Sequence, residues 1–131
     1  MTRRIAQVFG LGFILIGILG FVPGITEDEH LFGIFHVDAV HNFVHLLTGV
    51  VALIAGSVSF QSARVFFQVF GIIYGLVAIL GFINQANPVL GFLSNNIPDA
   101  WLHTVIALLA LYFGFGPVRE TTPASPEVPP S

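Results

Sequence analysis

No cysteine occurs in the chain of 131 residues, which excludes a disulfide scaffold, a thiolate metal site and thiol redox chemistry. Charge is nearly as scarce. Lys and Arg number 4 and Asp and Glu 7, together 8% of residues, against about 25% in soluble domains. So few charges cannot coat a water-soluble surface, and an ordinary globular enzyme is excluded. Without a basic patch nothing meets phosphate, which excludes a nucleic-acid binder. Phosphate loops, nucleotide fingerprints and nucleophile–base–acid arrangements are absent as well. What fills the chain is apolar: 55% of residues, with a mean hydropathy of +0.90. That is no disordered chain. It is a small integral membrane protein with one domain, residues 1–116.

Four apolar stretches run from Ile5 to Val22, Ala39 to Phe60, Val65 to Ile83 and Ala100 to Phe115. At about 1.5 Å per residue, roughly 18 to 20 residues cover the ~30 Å hydrocarbon core. In lipid the backbone must satisfy its own hydrogen bonds, and the alternation of a membrane barrel is absent, so these are helices. The expected fold is all-α, with four transmembrane helices forming a bundle.

Arg3 and Arg4 precede the first helix, Arg64 lies between the second and third, and Arg119 follows the fourth. With four spans these places share one side, which the positive-inside rule makes cytoplasmic. The opposite loops hold Glu27, Asp28, Glu29, Asp38 and Asp99 and no Lys or Arg. Both termini are therefore expected inside, in a multi-pass protein of the cell membrane. The apolar run after Arg4 is too long for a signal peptide and lacks a cleavage site, so it reads as a retained helix. From Pro117 onward five prolines are mixed with Ser, Thr and Glu, the composition of a disordered cytoplasmic tail.

The second half echoes the first. Val8-Phe9-Gly10 recurs as Val69-Phe70-Gly71, and Leu19-Gly20-Phe21 as Leu80-Gly81-Phe82. At an offset three residues shorter, His45 recurs as His103, Ala52-Leu53 as Ala110-Leu111 and Gly56 as Gly114. The outer loops correspond too, Leu31-Phe32-Gly33-Ile34-Phe35 with Val89-Leu90-Gly91-Phe92-Leu93. Two helices per copy insert in the same orientation, which implies two parallel helical-hairpin repeats about an axis along the membrane normal. Gly71 with Gly75, Ala52 with Gly56 and Ala110 with Gly114 form small-residue pairs for close helix packing, and Gly10 with Gly17 marks a contact face on helix 1. The same stripes would also serve a homo-oligomer or a membrane-protein partner. Phe32, Phe35, Phe92 and Leu93 are expected to dip into the interface as a lid, Trp101 belongs to an aromatic belt, and many of the 14 Phe read as lipid-facing filler.

Every histidine lies toward the outer side: His30, His36, His41, His45 and His103. Asp38, His41 and His45, at i, i+3 and i+7, share one face of helix 2; Asp99 and His103, at i and i+4, repeat the theme on helix 4. Ionisable groups inside a membrane mark candidate functional sites. Three readings stand side by side. Asp38 and Asp99 are helix N-caps, with histidines bonding between helices. Alternatively, His41, His45, His103, Asp38 and Asp99 bind a divalent metal such as zinc, copper, nickel or iron. In the third, His45 and His103 ligate a haem, or the Asp–His pairs relay protons. Glu27-Asp28-Glu29 reads as a solvated acidic run.

The stretch His41-Asn42-Phe43-Val44-His45-Leu46-Leu47-Thr48-Gly49 resembles the signature of the domain-of-unknown-function 4383 family of uncharacterised bacterial membrane proteins. Arg64, Gly71 and Tyr74 resemble its helix 3 motif, and Asp99, Leu102 and His103 its helix 4 motif. The resemblance spans roughly residues 5 to 116, departs at Ala107 where the family often has Gly, and implies four helices in a bacterial inner membrane without adding an activity. The function expected is structural or interaction-based in the membrane, not enzymatic, with a metal-binding His/Asp cluster on the outer side. The alternative is a redox or transport component linked to haem or quinone. Ion transport is disfavoured, because the inner halves of the helices hold only Gln7 and Gln68 as notable polar groups.

Overall fold

Helices follow the apolar runs, with shifted ends. In the computed structural model, which describes residues 1–118, α1 spans Thr2–Leu19, α2 Ala39–Val58, α3 Phe60–Asn84 and α4 Ile97–Phe115. All four are long and apolar enough to cross a membrane. Of the expected tail only Pro117 and Val118 are described, both exposed; the rest lies outside the described residues.

Two ends differ from expectation for identifiable reasons. The connection between α2 and α3 is one extended residue, Ser59, which closes α2 and caps α3, its Oγ accepting the Ser62 N–H at 3.0 Å. The polar stretch Gln61-Ser62 is therefore helical, and Arg64 sits inside α3 rather than in a loop. Helix α4 starts at Ile97 because Asn96 and Asp99 form a capping box. The Asn96 side-chain oxygen accepts the Asp99 N–H at 2.9 Å, and the Asp99 carboxylate accepts the Asn96 N–H at 3.0 Å. Two orphan donors are satisfied reciprocally. Asp99 is thus the inner partner of the box and not the N-cap. Asp38 is the N-cap of α2, accepting the His41 N–H at 2.8 Å.

Helix α1 packs chiefly on α2, and α3 on α4. Without a hydrophobic force between helices in lipid, close backbone approach supplies the packing energy. Gly10 and Gly49 allow it in the first pair: a Cβ on either would stand 2.6 Å from the other's carbonyl oxygen. Gly114 allows it in the second, where a Cβ would meet the Gln68 backbone nitrogen at 2.7 Å. Of the Gly71/Gly75 pair only Gly71 is pressed, against Leu111. The arginine-bearing end is closed by side chains. Arg3 donates to the Gly56 and Ser57 carbonyls at 2.9 and 2.8 Å, Arg64 to the Gly116 carbonyl at 3.2 Å and Gln68 to the Gly114 carbonyl at 2.9 Å. Each satisfies carbonyls that a helix C-terminus leaves orphaned.

Between the helices runs an aromatic column. Phe13, Phe67, Phe70 and Tyr74 are buried, and Phe70 stacks on Tyr74 with ring centroids 4.0 Å apart. These phenylalanines are core rather than lipid-facing filler; Phe43, 62% exposed, is of the outward kind.

The loops lie at the other end. The first holds a small antiparallel sheet, β1 Thr26–Glu27, β2 His30–Leu31 and β3 Phe35–His36, in the order β1-β2-β3. The acidic run turns it: Asp28 and Glu29 both take positive φ (47° and 60°) between the paired residues Glu27 and His30, a backbone that hairpins usually assign to Asn-Gly. The sheet has no sequence signal, because its strands are two residues long. The lid is real in outline but differs in composition. Leu31, Val37 and Val89 are buried, whereas Phe32 and Phe92 are 56% exposed.

Candidate metal centre

His41, His45 and His103 meet beneath this roof. Each offers a ring nitrogen, and the three ligand atoms lie within 4.8 Å of one another. Helical spacing accounts for the first two: His41 and His45 are one turn apart on α2, their ring centroids 4.6 Å apart. His103 arrives from α4, at 5.8 Å from the His41 ring and 6.4 Å from the His45 ring. All three are buried, at 4 to 6% exposure. The floor is the top of the aromatic column, where Phe13 stands edge-on to His45 and Tyr74 edge-on to His103, each at 5.3 Å.

The roof reaches into the site through one chain of hydrogen bonds. Ser94 Oγ donates to the His36 carbonyl at 3.2 Å and lies 3.0 Å from His41 Nδ1. A hydroxyl has a single proton, so His41 Nδ1 is the donor to Ser94, and its Nε2 carries a free lone pair. The other two rings lack such support. His45 Nδ1 and His103 Nδ1 are buried and have no hydrogen-bond partner among the described residues. Buried polar atoms without partners are rare and call for a water or an ion.

Two spaces adjoin the imidazoles. A cavity of about 120 Å³ is lined by His41, Tyr74, Ser94, Asn95 and His103 together with Ile73, Leu93 and three valines. A smaller void of about 30 Å³ touches His45, Asp99, His103, Leu31 and Val37. Both Asp residues expected at the site stand at helix starts, and the group of close ligand atoms comprises the three histidines. The Asp38 carboxylate is engaged by the His41 N–H, and Asp99, 2% exposed, borders the small void. His30 and His36 remain in the sheet above, stacked at 5.2 Å, with His36 Nε2 3.4 Å from Glu29.

Ser94, Asn95 and the site-facing side of Tyr74 escape sequence reasoning. Ser94 and Asn95 precede α4 in a stretch whose only local cue is the Asn-x-x-Asp box after it, and their partners are distant in sequence. Asn95 donates to the Gly81 and Gln85 carbonyls at 3.0 and 2.6 Å, which ties the second loop to the end of α3.

Three nitrogens that share a metal at about 2.05 Å in tetrahedral geometry stand about 3.3 Å apart, closer than the 4.8 Å limit here. Side-chain rotation of about 1 Å toward a common centre closes that gap, given the adjoining space. Three neutral imidazoles without thiolate suit zinc, copper, nickel, cobalt or iron rather than calcium or magnesium.

No curated protein and no solved structure matches the chain. The family described as "Domain of unknown function (DUF4383)" matches residues 3–116, all four helices and both long loops. The chain belongs to that family.

Proposed function

We propose that this protein holds a transition-metal ion, zinc or copper class, between α2 and α4 near one face of the membrane, with His41, His45 and His103 as ligands. The observation that carries this reading is the meeting of three buried imidazoles, two with an unpartnered ring nitrogen, from helices that would otherwise pack apolar residues there. An isolated polar atom in such surroundings costs about 1–3 kcal/mol, and metal ligation removes that cost. Asp38 and Asp99 then act through the helix starts that aim the histidines, and Asp99 borders the void next to His45 and His103. Three protein ligands leave a further coordination position, the pattern of a reactive rather than a closed structural site.

The bundle is read as two copies of one hairpin in parallel. Arg3 and Arg64 bond the ends of α2 and α4 alike. Phe32-Gly33 and Leu90-Gly91 both take positive φ at matching places in the two loops. Under the positive-inside rule the arginine end faces the cytoplasm and the metal faces outward. A haem is not favoured, because the 120 Å³ beside the imidazoles is well below the ~300–1,000 Å³ of typical cofactor sites.

The test is metal content. Detergent-purified protein is loaded with zinc or copper, desalted and assayed beside the His45→Ala/His103→Ala variant. Roughly one ion per chain in the wild type, absent from a variant with unchanged helical circular dichroism, is the expected result. A wild type that retains no metal, or a variant that retains as much, overturns the reading.

A further inference from the structure

We propose that the open coordination position of that metal faces the 120 Å³ cavity, and that a small uncharged Lewis base reaches it there from the membrane. The inference rests on the metal reading above and adds a ligand class to it.

Both His41 and His103 border the cavity, so a ligand inside it lies next to the metal's coordination sphere. The rest of its lining is largely aliphatic, with Val77, Val89 and Leu93 among it. A charged ligand would lose its hydration there without a counter-charge, at a cost of many kcal/mol, whereas a neutral one loses little. Size sets the second limit. A dry cavity of about 150 Å³ accommodates benzene, so this one takes roughly five heavy atoms. The route follows from a shared wall. Ile73, 51% exposed, borders both this cavity and a larger furrow of about 600 Å³ between α2 and α3. That furrow lies on the lipid-facing side of the bundle, between two spans whose mutual contact is sparse. The roof, by contrast, is closed over the site by buried Leu31, Val37 and Val89. A ligand that partitions into the bilayer therefore has the more direct approach. Its lone pair displaces water from the metal, and no bond in the ligand changes.

Cobalt-loaded protein reports this by its visible spectrum, with imidazole as a neutral base of suitable size and benzimidazole as an oversized one. Imidazole is expected to shift the bands at retained cobalt content, and benzimidazole to leave them alone. Val77→Phe narrows the cavity while leaving all three histidines in the chain, and weakens imidazole binding about tenfold or more at retained cobalt content. Leu93→Ala enlarges it and admits benzimidazole, which keeps the test decisive if Val77→Phe fails to fold. No cobalt in the wild type overturns this inference, and no zinc or copper either removes the metal reading with it. Cobalt whose spectrum ignores imidazole, or responds equally in Val77→Phe, overturns this inference and leaves the metal centre standing.

Discussion

His41 and Ser94 fix each other's protons. Because Ser94 gives its only proton to the His36 carbonyl, the imidazole must donate from Nδ1, across 3.0 Å, and keep Nε2 bare. A second-loop residue thus sets the tautomer of a first-hairpin histidine. Bonds of this kind orient metal-binding histidines, and their loss typically costs about 10–100-fold in affinity.

Ser94→Ala is therefore expected to weaken metal binding by about 10–100-fold while helical content stays constant. Chelator competition on the loaded protein measures it. Ser94→Thr keeps the hydroxyl and should recover most of the affinity. Equal affinity in all three proteins would show that the serine holds the loop and nothing more.

Gly49 and Gly12 make a matched pair of opposite expectation. A Cβ at Gly49 would meet the Gly10 carbonyl oxygen at 2.6 Å, whereas at Gly12 nothing lies within 4 Å. Gly49→Leu must push α1 from α2 and should cost upwards of about 2 kcal/mol. Gly12→Leu should stay within about 0.5 kcal/mol of the wild type. Unfolding in mixed micelles compares the two, and similar losses would refute the close approach.

Much of this architecture is legible in the chain because lipid leaves few options. Spans of sufficient length must be helices, and helical spacing alone puts His41 beside His45. The joining of His103 to them is legible only through the echo of the first half in the second, since α2 and α4 are far apart in sequence. Helix ends are harder to read. Gln61, Ser62 and Arg64 look like a loop to any polarity argument. They are helical because Ser59 caps α3 at once and Arg64 finds a carbonyl at the end of α4. The start of α4 is set by Asn96, whose role as N-cap depends on side-chain geometry rather than apolarity. The Ser94 contact and the cavity arise only when both loops close over the bundle, and no local pattern encodes that closure.

Arg3 and Arg64 should differ in weight. Arg3 reaches two carbonyls, of Gly56 and Ser57, and Arg64 reaches one, of Gly116. Bonds to charged donors contribute about 1.5–3 kcal/mol when sheltered and less when wet, and these lie at the half-buried to exposed end of the bundle. Arg3→Gln is expected to destabilise by about 1–2 kcal/mol and Arg64→Gln by about half as much. Each should be measured alone and in the double variant. The two sites are in separate hairpins, so the losses should add within about 0.5 kcal/mol. A clear excess in the double variant would mean that the arginines share a partner.

Absence of cysteine makes sidedness directly testable, since any introduced thiol is unique. Asp28 stands at the exposed tip of the β1–β2 turn, and Gln61 is exposed in the first turn of α3, at the opposite end of the bundle. If all four helices cross, these two positions fall on opposite sides of the membrane. With the arginines inside, Asp28→Cys should react with a membrane-impermeant maleimide in intact cells, and Gln61→Cys only after lysis. Labelling of both without lysis would deny that the helices span. The reverse pattern would keep the spans and turn the protein over, so that the histidines face the cytoplasm and its buffered metal pool.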